Sequence, residues 1–132
     1  MNTIKGNKLQ VRARLFWATL ILLAVAFISW YTHQTTGPHG GMLKKAGNHY
    51  IEMKNPENYF YAYLLDKKLK TVSNNNILAE VRFFMPDSTV MDVELSPGPD
   101  NSFTTKSMPG FLACKITFKT SSDEISAMFD NT

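Results

Sequence analysis

Cysteine is almost missing from this chain: Cys114 is the single one among 132 residues. One thiol cannot form an internal disulfide framework, so whatever folds here must be held by its own apolar core. No cysteine stands directly after the apolar stretch near the N-terminus, which excludes an acylated lipoprotein. The usual enzymatic signatures are absent as well: there is no P-loop, no G-x-G-x-x-G, no G-x-S-x-G and no H-E-x-x-H. Beyond residue 31 no long window repeats apolar residues at i, i+3, i+4 and i+7, which excludes a helical body.

Charge is missing from one long run. From Leu15 to Tyr31 the chain reads LFWATLILLAVAFISWY, and no charged side chain returns until Lys44. At about 1.5 Å per residue this run reaches about 25 Å, near the lower limit for a single helical span. Trp17, Trp30 and Tyr31 stand where interfacial aromatics anchor a spanning helix. Four bases and no acid occupy residues 1–14, namely Lys5, Lys8, Arg12 and Arg14. By the positive-inside rule they keep the N-terminus cytoplasmic and send the rest of the chain to the other side of the membrane. Ala24-Val25-Ala26 offers the competing reading of a cleaved signal peptide, but the apolar run continues past it through Phe27, Ile28 and Trp30. Either reading exports the remainder.

The formal charge of +3 is therefore topological. The ten bases after Arg14 face all eleven acids, leaving −1. A near-neutral remainder gives no electrostatic case for nucleic acid.

The expected organisation is a basic N-terminus at 1–14, a transmembrane signal-anchor at 15–31, a flexible tether at 32–40 and an exported β-domain at 41–132. The tether reads THQTTGPHG, polar and uncharged apart from its histidines. After it the pattern has period two. Residues 78–85 put Ala79, Val81, Phe83 and Met85 on one face against Glu80 and Arg82 on the other. The following strand does the same with Met91, Val93 and Leu95, the stretch 111–118 with Leu112, Cys114, Ile116 and Phe118, and the last with Ile125, Ala127 and Phe129. Residues 58–65, NYFYAYLL, are apolar on both faces, as in a central strand or one covered on its second side. Strands are expected near 41–45, 49–54, 58–65, 77–85, 89–95, 102–106, 111–119 and 124–129, with a short edge strand in LKTV at 69–72. Turn-rich loops between them imply an antiparallel, Ig-like β-sandwich of about seven or eight strands.

Candidate chemistry is thin. Cys114 lies on the inward face of its strand, where a thiol is inert. Asp92 and Glu94 share a solvated face. Tyr59, Tyr61 and Tyr63 form a row that suits buried sheet packing more than a binding platform. What remains is GPHGGMLKKAGNHYIEM at 37–53, which combines imidazole, thioether and carboxylate, donors that suit copper or zinc. Ala46-Gly47-Asn48 reads as a hairpin turn, which makes His49 part of a strand and separates it from His39. His39 becomes the leading metal-ligand candidate, with His33 and Met42 as helpers. No catalytic residue can be named.

His39-Gly40-Gly41, Ala46-Gly47, His49-Tyr50-Ile51-Glu52-Met53 and Tyr63-Leu64-Leu65-Asp66 together resemble a small exported β-domain. A similar unit precedes the main body of some periplasmic adaptor subunits of heavy-metal efflux pumps of the resistance-nodulation-division type. The resemblance implies a periplasmic, non-enzymatic accessory or metal-binding module in heavy-metal homeostasis, with efflux-pump components or another envelope protein as partner. It does not imply a pump adaptor, since a chain this short lacks the helical hairpin and lipoyl-like parts. The histidine-rich tract that precedes HGG in some relatives is reduced here to His33. The alternative is an envelope interaction domain with no metal role.

Overall fold

The computed structural model describes residues 36–131. The expected span at 15–31 and His33 lie outside them. Among the described residues no helix is long and apolar enough to cross a membrane.

Eight strands follow one another: β1 (Met42–Ala46), β2 (His49–Lys54), β3 (Tyr59–Leu65), β4 (Leu78–Phe84), β5 (Val90–Pro97), β6 (Phe103–Lys106), β7 (Ala113–Lys119) and β8 (Glu124–Asp130). They are the strands the period-two pattern marks out, displaced by a residue or two at their ends. All neighbours are antiparallel, in the order β1-β2-β3-β6-β5-β4-β7-β8. The order β6-β5-β4-β7 is a Greek key, in which a fourth strand returns beside the first of three hairpin-linked ones. The sheet curls until β8 lies against β1 and β2, nearly closing a barrel. Apolar alternation drives the curl, because a single face of all eight strands must be removed from water together.

The interior is aromatic. Phe60 meets Phe83 edge-on, with ring centroids 5.4 Å apart, Phe83 packs on Phe111 at 4.9 Å, and Phe103 meets Phe118 at 5.2 Å. Ile51, Leu64, Val81, Cys114, Ile116 and Phe129 fill the space around them. Among the described residues, every fully enclosed apolar side chain of this cluster falls between Ile51 and Phe129.

Three expectations about individual positions need correction. Leu112 was expected inward, yet it is 58% exposed while Phe111 is 2% exposed. A β-bulge is the reason: Ala113 is the register partner of Phe84, while the Leu112 amide also donates to the Phe84 carbonyl at 2.8 Å. Two residues facing one reverse the inward phase upstream of the bulge. Met91 was also expected inward but is 44% exposed. It pairs with Phe83 on β4, whereas β6 joins β5 only at Ser96 and Pro97, so the first half of β5 is an open edge. The strand expected at 69–72 contracts to one bridge, Leu65 to Thr71. The Asp66 carboxylate accepts from the amides of Lys68 and Lys70, and Leu69 takes a positive φ of 63°, which turns the chain instead of extending it.

Adjacent residues should therefore behave oppositely. Phe111→Ala is expected to cost about 3–5 kcal/mol of unfolding free energy, and Leu112→Ala no more than about 0.5 kcal/mol, both measured by urea denaturation.

Candidate functional site

Glu52 occupies an outward-phase position in β2, between the core residues Ile51 and Met53. It is nonetheless completely buried. A carboxylate is enclosed at this cost only when donors converge on it, and here they come from the segment just before β1. The His39 amide donates to Oε2 at 2.9 Å, the Gly41 amide to the same oxygen at 2.8 Å, and His39 Nδ1 to Oε1 at 2.8 Å. Because a carboxylate accepts, Nδ1 carries the hydrogen, and this fixes the imidazole tautomer.

The two glycines of the His-Gly-Gly sequence make this approach possible. Gly40 adopts a positive φ of 80°, and a Cβ on Gly41 would stand 2.5 Å from the Met53 carbonyl oxygen. The segment thus forms a strap: Gly37 N donates to Gly41 O at 2.9 Å, Gly40 N to Gly37 O at 3.0 Å, and Thr36 bridges to Met42.

The strap's imidazole lies flat on Tyr63 of β3, centroids 3.8 Å apart and planes 6° from parallel. Tyr63 is the register partner of Glu52, so one cross-strand pair supports both the stack and the hydrogen bonds. Burial, followed by the nearby Glu52 charge, raises the Tyr63 hydroxyl above the usual phenol range. On the far side Thr71 Oγ1 lies 3.3 Å from His39 Nε2, delivered there by the Asp66 turn and by the bond from Val72 N to Leu64 O.

Of the expected metal set, His39 and Met42 lie among the described residues. Residues 36–40 of the expected tether form the strap, through which His39 is bonded to Glu52 of β2. One of its ring nitrogens is engaged by Glu52 and the other faces Thr71. Met42 is 39% exposed on β1 and registers with Met53, while His33 lies outside the described residues. His49 closes the β1–β2 hairpin opposite Ala46, as expected. Among the described residues no three His, Cys, Asp or Glu side chains converge in a way that could hold an ion.

The tyrosine row divides. Tyr63 is buried under the strap, Tyr61 half-buried, and Tyr59 is 53% exposed. Cys114 is fully enclosed with its thiol 3.5 Å from the Met53 sulfur, and burial pushes it up to about 12.

Glu52 is the residue that strand alternation misses, since it reads there as solvated. The available signal was the glycine pair beside His39, which marks a backbone coming close to something.

Glu52→Ala strands three N–H donors and should cost about 3 kcal/mol, and Gly41→Ala about 2 kcal/mol or more through backbone collision, both read from calorimetric melting. Since the Cys114 thiol stays protonated below about pH 12 and is enclosed, it should react with an aromatic disulfide at pH 8 only after denaturant is added. No protein-family model, curated protein or solved structure matches this chain.

Proposed function

We propose that this chain is a non-enzymatic accessory module of heavy-metal handling, held to the inner membrane by residues 15–31 and working in the periplasm through the surface of its β-domain. The observation that carries this reading is the use made of its most chemical residues. His39 and Glu52 satisfy each other in a buried network, and the Cys114 thiol is sealed in the core. A reactive group must reach its substrate, and among the described residues neither the Glu52 carboxylate nor the thiol does. The barrel is read as a flattened, Ig-like sandwich, with β1-β2-β3-β6 facing β5-β4-β7-β8 across the phenylalanine core. Its partners are efflux-pump components or another envelope protein.

A second reading keeps a metal at His39. It is favoured by the carboxylate on Nδ1, an arrangement that orients metal-binding imidazoles, and by the long 3.3 Å contact of Nε2, which an ion could replace. Copper or zinc would then bind through Nε2, with His33 and Met42 as the helpers.

Titration with Cu(I), Cu(II) and Zn(II) separates the two. The accessory reading expects no binding tighter than ~100 µM, about −5.5 kcal/mol. Tighter binding that His39→Ala abolishes establishes the metal reading. The mass of the mature protein tests the anchor, since loss of residues 1–26 contradicts it.

A further inference from the structure

The charge of −1 beyond Arg14 conceals a division that the fold creates. The segments carrying β1, β2, β3 and β6, residues 36–73 and 98–109, hold seven lysines against four acids, a balance of +3. Those carrying β4, β5, β7 and β8, residues 74–97 and 110–131, hold three bases against seven acids, a balance of −4. Two bases on the acidic side are already paired: Arg82 with Asp92 at 2.7 Å and Lys119 with Glu80 at 3.7 Å.

On the basic side the register builds a patch. Lys54 of β2 lies across from Tyr61 of β3, which lies across from Thr104 of β6, and in the next row Tyr59 lies across from Lys106. These residues share the outer face, because their alternates Met53, Phe60, Ala62 and Phe103 are all in the core. Among the described residues no ion pair engages Lys54 or Lys106. Beside them a shallow depression of about 480 Å³ is lined by Asn58, Tyr59, Lys106, Ser107 and Pro109, with Glu57 its one acid. The strap covers the adjoining part of this face, over Glu52 and Tyr63.

We propose that this patch rests on a membrane surface, with Lys54 and Lys106 meeting anionic phospholipid headgroups and Tyr59 and Tyr61 entering the interfacial layer. Tyrosine and lysine together suit that layer, since each has an apolar body and a polar end. Chain length favours this occupant. Only residues 32–35 separate the expected span from Thr36, and four residues reach at most about 14 Å. The inference rests on the anchored reading in that respect, although the patch itself does not.

A fragment covering residues 32–132 contains all eight strands and every core residue of the described structure, and can be tested without the apolar segment. It should sediment with vesicles of phosphatidylcholine containing about 30 mol % phosphatidylglycerol and not with phosphatidylcholine alone. Raising the salt to about 0.5 M should release it. Lys54→Gln with Lys106→Gln should lower partitioning by roughly tenfold or more, and Tyr59→Ala should weaken it further. Lys115→Gln with Lys119→Gln, on the opposite face, should leave it unchanged. Equal binding to both vesicle types, no binding, or indifference to the Lys54 and Lys106 changes overturns the proposal. Lipid-free self-association in place of vesicle binding, abolished by the same changes, overturns it in favour of a second copy placed basic face to acidic face. Carbonate extraction of the full chain from membranes tests the anchor separately: its release would end the anchored reading and leave the fragment result standing.

Discussion

One enclosed carboxylate governs how this domain begins. Glu52 sits on a sheet face that alternation assigns to solvent, and it stays there only because a strap of backbone and imidazole replaces water around it. Three donors, two glycines and a stacked tyrosine are needed at once, so the segment before β1 has a single acceptable position. The consequence spreads in both directions. The strap fixes where the chain enters the barrel, and it covers the second side of β3 at Tyr63.

The same network changes the meaning of the most conspicuous sequence feature. Histidine followed by two glycines invites a metal reading, and a flexible tether would leave the imidazole free for one. In the fold the glycines let the strap backbone pack against β2, and the imidazole is a donor to the buried carboxylate. His39 and Glu52, thirteen residues apart in the chain, are two halves of one interaction.

The outer faces of the sheet differ in kind. β4, β5, β7 and β8 carry acids and exposed ion pairs, whereas β2, β3 and β6 set lysines among tyrosines. Net charge summed along the chain cancels this polarity, because strands from both sides contribute to one total. The strand order β1-β2-β3-β6-β5-β4-β7-β8 sorts the charges into separate faces, and a domain close to neutral acquires a direction.

The sequence by itself determined the all-β architecture, the eight strands nearly to their ends, and most of the core. Alternation of apolar and polar residues is a local property, and Ala79, Val81, Phe83, Ile116 and Phe118 are buried as that alternation requires. Tertiary structure decided the rest. The bulge at Leu112 and Ala113 depends on a partner strand, and so does the exposure of Met91. The burial of Glu52 depends on a segment that arrives from outside β2, and the basic patch depends on which strands become neighbours. Each is a relation between residues far apart in the chain, set by pairing and packing, and periodicity within one segment carries no information about it.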